Sequence, residues 1–275
     1  MKASEIVAEL PEQNTPEREA MIINYIGLGY YLEPKMIAVE SQYNGHIATI
    51  RVMSDALMLG ESDDFLRVNA TMNGEQCIAD LLQMSMLTTK IADLVRFAAR
   101  VPIEPQTQTP DAYMAYTSRM VKHSAAVTDA ILKFTSGAEN AATLETIADG
   151  SIGIVADVGK DWVLSNKLAN DQNLAANYGW HTKQAPNPAY PQNGPYKCQA
   201  GGYMWQTLGT AHNAAHVDYS QVVRLMAKRM VVDNRVMTFE EVASDSELCG
   251  LVSYEGPLTV FRHPEAATVE TVQNS

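Results

Sequence analysis

Cysteine is scarce in this chain: three among 275 residues, at Cys77, Cys198 and Cys249. The count is odd and no CxxC pair occurs, so neither a disulfide framework nor a paired-thiolate metal knuckle is readable. A reducing compartment fits that usage. Long apolar runs are missing as well. No stretch of about 18 apolar residues occurs, so no membrane-spanning helix is expected and no membrane partner. The opening Met1-Lys2-Ala3-Ser4-Glu5 lacks the basic start and apolar centre of a secretion signal. The expected location is therefore the cytoplasm, or a virion freed by lysis. Basic residues are outnumbered, 20 Lys and Arg against 32 Asp and Glu, for a net charge of -12. Binding a phosphate backbone needs clustered cations. The best local group, Arg224, Lys228 and Arg229, is small, and no nucleic-acid partner is expected.

What the chain does have is enough apolar residue, 46%, to bury a sizeable core. Residues 3–10 and 16–27 predict helices. Thr15-Pro16-Glu17 supplies a capping hydroxyl, a first-turn proline and an acid near the positive end of the helix dipole. Asn44-Gly45 between two apolar runs predicts a β-hairpin over 35–53. Residues 65–68 predict a further strand. A helix is expected over 74–84, capped by Asn73 with Gln76 completing a capping box, and another after Thr88-Thr89. The longest helix is expected at 112–134, with Met114, Ala115, Met120, Val121, Ala125, Val127 and Ile131 inward. Residues 152–155, 162–164, 178–182 and 258–261 predict strands, and Asp233-Asn234 a hairpin tip between 222–232 and 236–239. A helix is expected over 240–248. Four prolines make 184–197 a long flap, and 264–275 reads as a frayed tail. Helices first and strands later favour an α+β fold packed as one body. The expected division is a helix-rich lobe over 1–140 and a strand-rich lobe over 141–275 that carries the site.

The polar chemistry gathers between Tyr178 and Asp218, where three of the six histidines lie. His212 and His216 stand four apart, one face of a helix; Asp218 follows His216 by two, one side of a strand. His181 can add a ligand from the Tyr178-Gly179-Trp180-His181 segment. Imidazoles with a carboxylate suit Zn²⁺ with one position left for water. The expected metal set is His181, His212 and Asp218. His216 acts as base or fourth ligand beside Asp218, and Tyr219 is an oxyanion donor. Tyr178, Trp180 and Trp205 are expected to floor a groove for peptide or sugar; the crowded aromatics of this region, Trp180 and Trp205 with Tyr190, Tyr196 and Tyr203, read equally as the core that holds the proline-rich flap. The bland alternative for the histidines is a hydrogen-bonded turn.

Cys77, in the first turns of its helix, offers a rival thiol nucleophile paired with a downstream histidine, a papain-like order of residues. It shares a helical face with Leu81 and Met84, so a small core residue is the other reading. Ser220 lacks a nucleophile elbow, and Gly153, Gly159 and Lys160 do not space as a phosphate loop. Asp63 and Asp64 read as a solvated acidic turn.

The segments Asn177-Tyr178-Gly179-Trp180-His181, His216-Val217-Asp218-Tyr219-Ser220-Gln221 and Gly159-Lys160-Asp161-Trp162-Val163-Leu164 resemble a group of bacterial and phage proteins with no agreed activity. A partial resemblance runs to zinc peptidases of peptidoglycan, which pair a His and an Asp several residues apart with a Trp-His dipeptide. His212, Asp218 and Trp180-His181 match those parts, with the spacing changed by one residue and the Trp-His pair first. The leading expectation is a hydrolase of an amide bond in cell-wall peptides, zinc-dependent, acting on a peptide or glycopeptide. The rival is a non-enzymatic virion or assembly protein whose partners are its own copies and other virion proteins.

Overall fold

Thr15 caps its helix as its side chain allows: the hydroxyl accepts the Arg18 N–H at 3.2 Å, and Pro16 opens the first turn. The structure, a computed structural model, describes residues 1–171, 173–264 and 266. In chain order it begins with α1 (Ala3–Glu9), α2 (Pro16–Gly27), β1 (Met36–Tyr43), β2 (His46–Met53), β3 (Met58–Glu61) and β4 (Asp64–Arg67). There follow α3 (Met72–Leu81), β5 (Met84–Thr88), α4 (Thr89–Ala98), β6 (Val101–Pro102), α5 (Thr117–Thr135) and α6 (Leu144–Ala148). Then come β7 (Val155–Ala156), β8 (Lys160–Leu164), β9 (Leu174–Thr182), β10 (Tyr196–Lys197) and β11 (Tyr203–Asn213). The chain closes with β12 (Leu225–Ala227), β13 (Arg229–Val232), β14 (Arg235–Thr238) and α7 (Phe239–Ser244).

Both hairpins form where turn chemistry placed them. Asn44 and Gly45 have φ of 49° and 86°, and Asp233 and Asn234 of 47° and 67°, the left-handed pair that a type I′ turn needs. Ten strands join in one sheet, in the order β10-β11-β9-β8-β5-β12-β2-β13-β14 with β1 added on β2. It draws strands from both sides of residue 140, giving an α+β fold. Within this sheet β5 and β8 are the one parallel strand pair among the described residues, through Leu87↔Val163 and Thr88↔Leu164. The middle of the sheet is fully buried: Ile50, Val52, Met86, Leu87, Trp162, Val163, Leu225 and Met226 have at most 1% of their surface exposed. Each such aliphatic side chain contributes roughly 1.5–3 kcal/mol of burial. Trp162 also satisfies its indole, donating to the Ala70 carbonyl at 2.9 Å.

Three expectations are corrected. The cap of α3 is Thr71, not Asn73: its hydroxyl accepts the Gly74 N–H at 3.0 Å and donates to Glu19. The long helix starts at Thr117 because upstream carbonyls are already engaged. The Ala115 carbonyl accepts from buried Arg18, and the Met114 carbonyl from the Tyr219 N–H. Residues 258–261 form no strand. The Leu258 N–H goes to the Ala243 carbonyl and the Thr259 N–H to the Asn166 side chain, so no ladder can run there. The expected tail over 264–275 lies almost wholly outside the described residues. Among the described residues no helix is long and apolar enough to cross a membrane.

Candidate metal centre

In a regular strand, residues three apart face opposite sides. Tyr178 and His181 of β9 do not, because Gly179 and Trp180 between them have φ of 121° and 54°. The kink turns both side chains onto Asp93 of α4. Tyr178 donates its hydroxyl to Asp93 Oδ1 at 2.9 Å, and His181 Nε2 lies 2.8 Å from the same oxygen. A left-handed conformation costs a tryptophan about 1–2 kcal/mol and persists only where the surroundings hold it. Here Tyr219 packs on the indole at 6.4 Å and Lys160 Nζ sits 5.1 Å from its ring centre.

Four more groups complete the cluster. Cys198, just past β10, brings its sulfur to 3.4 Å from Asp93 Oδ1 and 3.8 Å from the Tyr178 hydroxyl. Tyr254 donates to Asp93 Oδ2 at 2.9 Å. Asp157, itself at φ 64°, accepts the His181 main-chain N–H at 2.6 Å and faces His181 Nδ1 at 3.0 Å. Behind it, Arg96 Nη1 lies 3.1 Å from Asp157 Oδ2. Asp93, Asp157, His181 and Cys198 are all buried. Burial opposes charge on His181, but the hydrogen bonds to Asp157 and Asp93 outweigh it and raise its pKa to about 11. The imidazolium with Arg96 then balances the two carboxylates. Burial first, and the facing Asp93 charge second, push both the Tyr178 and Tyr254 phenols up, so they stay protonated donors.

The donor atoms of Asp93, His181 and Cys198 lie within 4.8 Å of one another, the only such histidine, cysteine or acidic group among the described residues. Oxygen, nitrogen and sulfur together suit a borderline-soft ion such as Zn²⁺. Asp157 on Nδ1 is the usual outer partner of a metal-binding histidine, and would hold the tautomer that presents Nε2 to an ion once its proton is displaced. A divalent ion displacing one proton from the imidazole and one from the thiol leaves the local charge unchanged. Tyr178 and Tyr254 also line a cavity of about 290 Å³, together with Lys197 and Gln199 on either side of Cys198.

The expected set of His181, His212 and Asp218 does not converge. His181 pairs with Met204 across the β9–β11 ladder while His212 pairs with Ala175, six positions along β9 and so about 20 Å away. His212 stacks on His216, ring centres 3.9 Å apart and planes 6° from parallel. An ion lies in the plane of each imidazole that binds it, so face-to-face rings cannot share one. Asp218 is engaged by the Ser220 N–H at 2.7 Å, by the Ser220 hydroxyl and by Lys160 Nζ at 3.4 Å. His216 and Asp218 do line one open groove with Asn14 and Tyr116. The Tyr219 side chain is buried, and its hydroxyl accepts the Gln108 N–H at 2.7 Å. Tyr178 lines the cavity and gives its hydroxyl to Asp93. Trp180 is buried against Tyr219 and Lys160, and Trp205 packs beside Gly194 of the proline-rich flap. Burial, and then Glu19, raise the Cys77 thiol to about 11, the opposite of an activated nucleophile.

Asp93, Asp157, Cys198 and Tyr254 were not singled out by sequence reasoning. One signal existed: Asp93 and Arg96 stand three apart inside an apolar helix, a charged pair on one face. No protein-family model, no curated protein and no solved structure matches this chain.

Proposed function

We propose that this protein is a zinc-dependent hydrolase of an amide bond, with the ion held by Asp93, His181 and Cys198. The observation that carries the reading is the aim of His181. Asp157 takes its Nδ1, and the kink at Gly179 and Trp180 turns Nε2 toward a carboxylate and a thiol. A zinc ion held there by Asp93, His181 and Cys198 would have a fourth position for water and would supply a nucleophile near neutral pH for hydrolysis of an amide to an acid and an amine. The amide is named because Trp180-His181 resembles the Trp-His pair of peptidoglycan zinc peptidases.

A second reading has its own support. With His181 protonated the cluster is neutral without any ion, as suits a non-enzymatic scaffold such as a virion component. One experiment separates the two. Protein stripped by chelator is titrated with zinc in a calorimeter, then assayed on short peptides and peptidoglycan fragments by mass spectrometry. The hydrolase reading expects saturable one-to-one binding, and amide cleavage lost in His181→Gln and Cys198→Ser. Absence of such binding removes it.

A further inference from the structure

A strand at the rim of a sheet carries main-chain groups with nothing to bond, and folded proteins shorten, charge, bend or cover such rims. Two rims of this sheet are short, β10 with two residues and β14 with four. β1 is different. It runs eight residues in unbroken register with β2, from Met36↔Met53 to Tyr43↔His46, and β2 is its one strand partner among the described residues. It holds no proline, no lysine and no bulge, and Glu40 is its one charged residue. The two-residue Asn44-Gly45 turn makes Tyr43 and His46 a hydrogen-bonded pair. The odd residues of β1 therefore bond to β2, and the even ones turn their main-chain groups outward. The Ser54 N–H keeps that alternation, going to the Lys35 carbonyl at 2.9 Å. The N–H and C=O groups of Ala38, Glu40 and Gln42 thus point away from the sheet, and among the described residues no main-chain group bonds them. All three residues are exposed, whereas Val39 and Ser41 between them are buried.

We propose that β1 is an interface whose occupant is β1 of a second copy of this chain, the two strands antiparallel about a two-fold axis. The outward groups allow registers that set even residues against even residues. Centring on Glu40 opposes two carboxylates, which is unfavourable. Centring on Ala38 or Ser41 sets Glu40 against Met36 or Gln42. Centring on Val39 sets Ala38 of one copy against Glu40 of the other. Ala38 lies beside Arg51 of β2, and both are exposed. Glu40 of the second copy then stands two strands from Arg51, about 10 Å between backbones, with the small Ala38 side chain between them. The two long side chains can meet over that methyl group. The two-fold repeats the pair, so opposite charges face each other twice across one contact, and the symmetry closes the rim with two copies. None of Asp93, His181 and Cys198 lies on β1, so the interface stands apart from the hydrolase reading.

The test is size-exclusion chromatography with light scattering on the full chain over a concentration series. The expected species is a dimer that dissociates to monomer on dilution. Ala38→Pro removes an outward N–H and spares the β1–β2 ladder, since a rim strand tolerates proline on its open side. It should raise the dissociation constant at least about tenfold through the hydrogen bonds lost, with the circular dichroism spectrum unchanged. Charge reversal asks the same question without touching the backbone, should the proline variant fold poorly. Glu40→Arg and Arg51→Glu should each weaken the dimer, and the double variant should recover it. A parent chain that stays monomeric at about 100 µM, beyond the range of a specific dimer, overturns the proposal. So does a dimer indifferent to Ala38→Pro and to both reversals, which is built on another surface. Weakening by both reversals without recovery in the double variant overturns the Val39-centred register.

Discussion

Asp157 grips His181 at two points, taking the main-chain N–H at 2.6 Å and facing ring Nδ1 at 3.0 Å with the same oxygen. One carboxylate therefore fixes both the backbone and the ring of the residue that aims at Asp93 and Cys198. Asp157→Asn keeps the shape and removes the charge. Zinc affinity is expected to fall about 10–100-fold, the usual loss when an outer partner of a ligand is changed, measured by competition with a chelator of known affinity.

Zinc uptake near pH 7.5 should release the proton that His181 carries, because the ligand is the neutral imidazole. Calorimetry in buffers of different ionisation enthalpy reads the proton count directly. Uptake with no proton released would mean that the imidazole is not a ligand.

His212→Ala should leave zinc affinity unchanged, because His212 is committed to its stack with His216 and lies far along the sheet from His181. Cys198→Ser should weaken it strongly. The reverse pattern would restore the histidine set that spacing alone favours.

His123 of α5 is buried, and burial, with the nearby Arg67 charge next, lowers its pKa to about 4. The unfolded chain takes up a proton near pH 6.5 that the folded chain refuses until about pH 4, so stability drops as pH falls through that window. The contribution is at most about 3 kcal/mol. Asp161, raised to about 6 chiefly by burial, works in the opposite direction over the same range. Comparing His123→Gln with the parent cancels the Asp161 part: the variant should lose less stability between pH 6.5 and 4 in urea titrations.

Gly159 lets the chain before β8 press against residues 220–222. An added methyl there would meet Val222 Cγ2 at 2.5 Å and the Ser220 carbonyl oxygen at 2.6 Å. Gly159→Ala is expected to cost about 1–3 kcal/mol, read as a lowered Tm, and to loosen Asp157 two residues before it.

Local chemistry was legible and distant chemistry was not. Asn44-Gly45, Asp233-Asn234, Thr15 and Thr88 each act within a few residues, and each forms the turn or cap its type dictates. His181 was legible as a polar residue of interest, but its partners were not. Asp93, Asp157 and Cys198 lie 88, 24 and 17 positions from it and meet it only through the tertiary fold. The pair His212 and His216 drew attention by spacing, yet the residues sit at the end of β11 and in the turn after it, so helical spacing did not apply. The kink at Trp180 was invisible because nothing in the residue's type asks for a positive φ.

The parallel contact between β5 and β8 spans just two residue pairs, and it joins two groups of antiparallel strands. Thr88 ends β5 and caps α4, which carries Asp93 on one side of that seam. His181 and Cys198 belong to the other. The group that holds β5 is itself closed over long separations, β12 and β13 pairing with β2, so the seam is one of several distant closures the chain must make. Asp93 meets His181 and Cys198 only when both groups are in place, and the Tyr178 and Tyr254 phenols on Asp93 are placed to signal that meeting.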